Sequence, residues 1–217
     1  MGRLRTAVLI SGRGSNLQAL IDAARDPTYP AEIALVVSNV PGAFGLERAR
    51  QASIATKIVD HKNFPDRESF ERALDGLLRE HKIEFVCLAG FMRLLTPAFV
   101  TPWLDRLINI HPSLLPAFKG LHTHERALAA GVRFTGCTVH FVRPATDDGP
   151  IILQAAVAIR PDDTPDSLAA RVLEAEHQIF PAALALVAEG KTRIEKEIVR
   201  IEGHNPPGPI LFNPALN

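Results

Sequence analysis

Short apolar runs alternate with amphipathic stretches through the first half of the chain, and no other feature restricts the fold as much. Thr6–Ser11 (TAVLIS) reads as a buried strand, and Asn16–Asp26 follows with Leu17, Leu20, Ile21 and Ala24 at helical spacing. Glu32–Asn39 and Ala55–Asp60 read as further strands, with a short helix over Gly45–Ala52 between them. Asp66–Lys82 puts Phe70, Leu74, Leu77 and Leu78 on one face and charges elsewhere, the pattern of a surface helix. Glu84–Gly90 (EFVCLAG) and Arg106–Ser113 (RLINIHPS) supply a fourth and a fifth strand. Strands that alternate with helices predict an α/β fold of Rossmann-like type, a mainly parallel central sheet with helices on both faces.

The second half changes style. Thr135–Val142 and Ile151–Ile159 are strand-like and separated by the polar turn Arg143–Pro150, so they predict an antiparallel pair. Thr164-Pro165-Asp166-Ser167 is a helix start signal. The helix it opens has apolar positions at Leu168, Val172, Ala175 and Ile179, then Leu184 and Val187 past Pro181. No repeat and no long linker divides the chain. The expected organisation is one domain over 1–202, with an N-terminal phosphate-binding half to about 105 and a C-terminal catalytic half from about 106. Residues 203–217, rich in Pro, Gly and Asn, are expected to form an irregular tail.

Composition narrows the function classes. Hydrophobic residues make up 47% of 217, enough for a sizeable core. Lys+Arg and Asp+Glu both total 24, which argues against a general nucleic-acid binder. The two cysteines, Cys87 and Cys137, make neither a disulfide framework nor a zinc site and read as core filling. The apolar run near the N-terminus is too short for a signal peptide or a membrane span, so a soluble, cytoplasmic protein is expected.

Two stretches carry chemistry. Leu9–Gln18 (LISGRGSNLQ) is a strand, a turn and a helix start. Gly12 and Gly14 free the backbone, Ser15 or Asn16 can cap the helix, and the free amides there suit a phosphate. The pattern is neither GxGxxG nor the Walker lysine motif, so a dinucleotide or ATP is not favoured. Asn109 and His111 end the fifth strand two residues apart and therefore point the same way. An amide can donate to a developing oxyanion and an imidazole can move a proton near neutral pH. Asp147 and Asp148, in a turn closed by Gly149-Pro150, offer a carboxylate to orient that ring.

With these pieces in order, the chain resembles the phosphoribosylglycinamide formyltransferases, within the folate-dependent formyltransferase superfamily. The phrases that carry the resemblance are LISGRGSNLQALIDA, AFGLERARQA, LAGFMRLLTPAFV, LINIHPSLLPAFKGLHTHERAL, GCTVHFV, DDGPIILQ and RVLEAEHQIFP, spread over nearly the whole chain. The resemblance implies transfer of a formyl group from 10-formyltetrahydrofolate to the amine of glycinamide ribonucleotide in purine synthesis, without a metal. It implies catalytic roles for Asn109, His111 and Asp147. It implies ribonucleotide contacts at Gly14, Ser15, Asn16 and Glu176. A folate pocket is implied at Phe91, Met92, Arg93, Leu94 and Leu95, with Asn109, Val142 and Arg67. Small-molecule substrates, no nucleic acid, no membrane, and a monomer or homodimer complete the expectation.

The chain departs from the family pattern at two points. Asp148 stands where a small residue is common, and Ala117-Phe118-Lys119 stands where many members place a Lys and an aromatic before the Gly, so a basic residue is nearby but shifted. His140 is read as a supporting residue, and His122 and His124 as loop or helix-start residues. Methionyl-tRNA formyltransferase would call for a further, tRNA-binding domain and a basic chain. Formyltetrahydrofolate hydrolase shares the glycine turn and the Asn/His/Asp set but carries an N-terminal regulatory domain. A non-catalytic module that binds a phosphorylated ligand would not need the three polar groups.

Overall fold

The computed structural model describes residues 2–203 together with 208, 211, 213 and 214. In chain order the elements are β1 (Leu4–Ile10), α1 (Ser15–Ala24), β2 (Ala31–Ser38), α2 (Phe44–Gln51), β3 (Ala55–Ile58), α3 (Arg67–Glu80) and β4 (Phe85–Leu88). There follow α4 (Pro97–Val100), β5 (Leu107–His111), α5 (Thr123–Ala129), β6 (Phe134–Phe141), β7 (Ile151–Ala158), α6 (Pro165–Ala188), β8 (Thr192–Glu195) and β9 (Ile198–Ile201). Seven strands form one sheet in the order β3-β2-β1-β4-β5-β6-β7. The first five run parallel, and β5–β6 and β6–β7 are antiparallel.

Alternation along β1 accounts for the layers. Val8 and Ile10 pack with α1, α2 and α6 through Leu17, Leu20, Leu46, Val172 and Phe180. Ala7 and Leu9 face the other side, against Phe70, Leu74 and Leu78 of α3 and Phe99 of α4. Successive side chains of a strand point to opposite faces, so a fully apolar strand has to be covered twice. Both cysteines are buried, and burial pushes their thiols up, Cys137 to about 12.

Expected and observed boundaries agree closely, with three differences of substance. Neither Ser15 nor Asn16 caps α1; the N-cap is Gly14, left-handed at φ 71, with no side-chain cap. On α6 the buried line runs through Leu168, Val172, Glu176, Phe180 and Leu184, while Ala175 and Ile179 are half-buried. The hairpin β8–β9 is additional, with a turn whose Lys196 and Glu197 both have positive φ. Thr164 starts α6 as foreseen, its hydroxyl accepting from Ser167 N–H in a capping box. Among the described residues no helix is long and apolar enough to cross a membrane. Of the expected tail only Gly203, Gly208, Leu211, Asn213 and Pro214 fall within the described residues.

Candidate active site

The carboxyl ends of β1, β4 and β5 open onto one edge of the sheet, where ligands of α/β folds collect. After β1 the chain passes through Gly12, Arg13 and Gly14 into α1. A Cβ on Gly14 would lie 2.7 Å from Gly45 Cα, so the turn and the start of α2 can touch only because both residues are glycine. The Gly12 carbonyl accepts from Gly45 N–H at 3.0 Å and the Arg13 carbonyl from Arg48 Nε at 2.9 Å. Both oxygens are thereby engaged on the α2 side. The first intrahelical bond of α1 is Gln18 N–H to Gly14 O at 2.9 Å, which leaves the amides of Ser15, Asn16 and Leu17 as the helix's unpaired N-terminal donors. They adjoin a pocket of about 310 Å³ lined by Ser11–Asn16, Ala89, Gly90 and Met92. An anion there meets donors and the positive end of a helix dipole.

Glu176 of α6 reaches the same turn. Asn16 Nδ2 donates to its Oε2 at 2.6 Å, and Asn16 Oδ1 is buried without a partner among the described residues. Only 6% of Glu176 is exposed, so it is not a surface helix charge. Burial raises its pKa, and the Asn16 hydrogen bond offsets part of that rise.

Asn109 and His111 lie on the same side of β5, both lining a cleft of about 670 Å³. Asp147 joins them from the turn after β6, with Oδ1 3.4 Å from His111 Nδ1 and Oδ2 accepting from Gly120 N–H at 2.7 Å. Asp147 adopts φ 48, a left-handed conformation that Asp tolerates better than most residues. Asp148 points elsewhere, into an exposed ion pair with Lys119 Nζ at 2.7 Å. Geometry therefore separates the two carboxylates that the sequence left side by side. It also finds Lys119 an occupation, on Asp148.

Two hydrogen-bond chains fix orientation. His140 Nδ1 faces the Phe141 carbonyl at 2.9 Å, and a carbonyl only accepts, so that nitrogen carries the proton. Its Nε2 then accepts from Asn109 Nδ2 at 3.2 Å. Burial holds the His140 pKa down and keeps the ring neutral, as this role requires. One Asn109 N–H is thus committed, and its second N–H is left for a ligand. His111 has an acceptor at each nitrogen, the Phe118 carbonyl 3.1 Å from Nε2 and Asp147 at Nδ1. Each ring nitrogen therefore faces an oxygen that can only accept. His124, on the same cleft, has Nδ1 buried and unpartnered among the described residues, and burial lowers its pKa.

A second cleft of about 300 Å³ adjoins the first and shares Phe91, Arg93, Leu94, Asn109, Thr146 and Asp147 with it. Leu95, Val142 and Arg67 of the expected folate set also lie on its walls. Met92 is not core: it is 66% exposed, at the lip between the larger cleft and the anion turn. Sequence reasoning missed Glu71, a buried carboxylate that accepts from both the backbone and the hydroxyl of Thr96 and so fixes the Leu95–Pro97 wall. Its signal was a charge beside Phe70 on the apolar face of α3. Among the described residues no three His, Cys, Asp or Glu are grouped to hold a metal.

A doubly covered α/β sheet with an amide, an imidazole and a carboxylate between an anion turn and an apolar cleft has the parts of a group-transfer enzyme working at a carbonyl carbon. The family model described as formyl transferase matches residues 4–184. Phosphoribosylglycinamide formyltransferase of Escherichia coli K12 is 45% identical over 94% of this chain and 96% of its own length. Glycinamide ribonucleotide transformylase 1 from Symbiobacterium toebii, a solved structure, superposes with a TM-score of 0.90 at 47% identity, covering 92% of this chain and 94% of that one. The human trifunctional purine biosynthetic protein adenosine-3 is 53% identical over 88% of this chain, which spans 19% of that protein's length. The chain belongs to the formyl transferase family, among its phosphoribosylglycinamide formyltransferases.

Proposed function

We propose that the chain transfers the formyl group of 10-formyltetrahydrofolate to the amine of N1-(5-phospho-D-ribosyl)glycinamide, releasing tetrahydrofolate, in purine synthesis. The observation that carries this reading is the meeting of Asn109, His111 and Asp147 at the junction of the anion turn and the apolar cleft. In it the phosphate of the ribonucleotide lies on the amides of Gly14, Ser15 and Asn16, and Glu176 accepts from the same substrate. The folate lies along Phe91–Leu95 and Val142, with Arg67 at the rim. A flat heterocycle suits an apolar slot with a few polar groups.

The amine attacks the formyl carbon, and the carbonyl oxygen becomes an oxyanion. The uncommitted Asn109 N–H and the His111 imidazolium stabilise that charge. The tetrahedral intermediate collapses as the bond to the folate nitrogen breaks. The leaving nitrogen takes up a proton and the attacking amine loses one, with His111 or a bound water as carrier. Asp147 holds the ring and balances its charge, while His140 sets the Asn109 amide. This chemistry needs no metal. In this reading the whole reaction runs in one domain over 1–202, in the cytoplasm.

The test is turnover of 10-formyl-5,8-dideazafolate followed by ultraviolet absorbance. Absorbance change that requires the ribonucleotide supports the transferase. Change without it would make the chain a hydrolase, and no change with bound ligand would make it a binding module.

A further inference from the structure

We infer that Arg143 is a positioning residue that fixes the wall of the formyl-donor cleft by tying it to the β8–β9 hairpin. The segment Val142–Asp147 lines the smaller cleft and ends at the carboxylate that faces His111. Its two stems are held by backbone bonds, Phe141 N–H to Pro150 O at 2.9 Å and Val142 N–H to Leu107 O at 2.8 Å. Between those stems the chain has no strand or helix of its own.

Arg143 supplies what the backbone does not. Its Nε donates to Glu197 Oε2 at 2.6 Å and its Nη2 to Glu197 Oε1 at 3.3 Å, a forked pair. The same Nη2 donates to Asp105 Oδ1 at 2.9 Å, and Nη1 to the Val142 carbonyl at 3.2 Å. The side chain is only 13% exposed. Glu197 sits in the turn of the β8–β9 hairpin, and Asp105 lies just before the strand that bears Asn109 and His111. One guanidinium thus joins three distant segments, two of which lead to the reacting groups.

The other arginines of this cleft are placed differently. Among the described residues Arg67 and Arg93 have no carboxylate partner, and Arg93 Nε is buried with no hydrogen bond. Those two have charge to offer a ligand. Arg143 lines the cleft as well, but each of its nitrogens already has a protein acceptor, so its charge is held by the protein and its inferred action on the ligand runs through the loop. Both carboxylates are half-exposed or more, so each pair alone counts for little. Removing the arginine has a larger effect, because it leaves two negative groups side by side under the loop.

The inference rests on the proposed reaction for the identity of the ligand, and its test therefore has one arm without turnover. In Arg143→Met, hydrogen exchange of the ligand-free protein is expected to speed up by about tenfold at the amides of residues 145–148, with β1 and α1 unchanged. In the absorbance assay the Michaelis constant for 10-formyl-5,8-dideazafolate is expected to rise about five- to twentyfold, and that for the ribonucleotide by less than about twofold. Arg143→Lys recovers part of both effects, and Glu197→Gln, which keeps the guanidinium, gives about a two- to fourfold rise and serves alone if Arg143→Met does not fold. Unchanged exchange at 145–148, or equal rises in both Michaelis constants, overturns the inference. A wild-type protein that turns nothing over would instead refute the proposed reaction, and the exchange result would still decide the role of Arg143.

Discussion

The glycine turn after β1 and the cluster of Asn109, His111 and Asp147 share one edge of the sheet but are assembled by opposite means. In the turn every donor comes from a few consecutive residues, Gly12 to Leu17, and most of them are backbone amides. The cluster takes side chains from β5 and from the loop after β6, and each is aimed by a partner elsewhere: His140 for Asn109, the Phe118 carbonyl for His111, Gly120 for Asp147. A backbone site is set by local angles and tolerates side-chain change. A side-chain site is set by tertiary packing and is lost one group at a time. The two regions should therefore fail in different ways.

The largest effect is expected at His111. His111→Ala should lower turnover by about 10² to 10⁴-fold with the far-ultraviolet circular dichroism unchanged. A rate near wild type would remove the imidazole from the chemistry. Asp147→Asn comes next, at about tenfold to 10²-fold in kcat, because it removes the charge facing Nδ1. Asp148→Asn, which breaks only an exposed pair with Lys119, should stay within about twofold. Equal losses in the two variants would dissolve the distinction drawn from their positions.

The turn is expected to respond more gently and on the other substrate. Ser15→Ala with Asn16→Ala should raise the Michaelis constant for the ribonucleotide about tenfold and spare that for the folate, since the backbone amides remain. A selective folate defect would place the phosphate elsewhere.

Stability supplies the smallest effect. Burial raises the pKa of Glu176 above its ordinary value of 4.5. A carboxyl whose folded-state pKa is raised contributes stability that is complete below the unfolded value and is lost as pH rises through the folded one. Glu176→Gln stays neutral throughout and its amide oxygen can still accept from Asn16. Its melting temperature should therefore gain on wild type as pH rises from the ordinary carboxyl value through the raised one, while ribonucleotide binding weakens. A gap that shrinks toward alkaline pH would contradict the raised pKa.

Much of this could be read from the chain, for reasons specific to each element. Period-two geometry was enough to place Asn109 and His111 on one side of a strand. The apolar face of Asp66–Lys82 announced α3, and Thr164 announced α6 by its cap. The choice between Asp147 and Asp148 was not legible from the residues alone, because neighbours in a turn differ only in where the turn aims them. The cap of α1 was misread, since Gly14 enters the helix from left-handed space that serine and asparagine side chains do not report. The hairpin β8–β9 escaped notice because its strands are four residues each, interrupted by Arg193, Glu195 and Arg200, and joined by Lys196-Glu197 instead of a glycine turn. Arg143 escaped with it, for its partners Asp105 and Glu197 are brought near only by the fold.

In the proposed reaction one carbon passes between two ligands held on either side of Asn109, His111 and Asp147. Carbon-13 resonance on 10-formyltetrahydrofolate labelled in the formyl group follows that carbon. With the ribonucleotide present, the label should move into the formamide of the product at the rate tetrahydrofolate appears. Label collecting as free formate, at a rate indifferent to the ribonucleotide, would contradict the account.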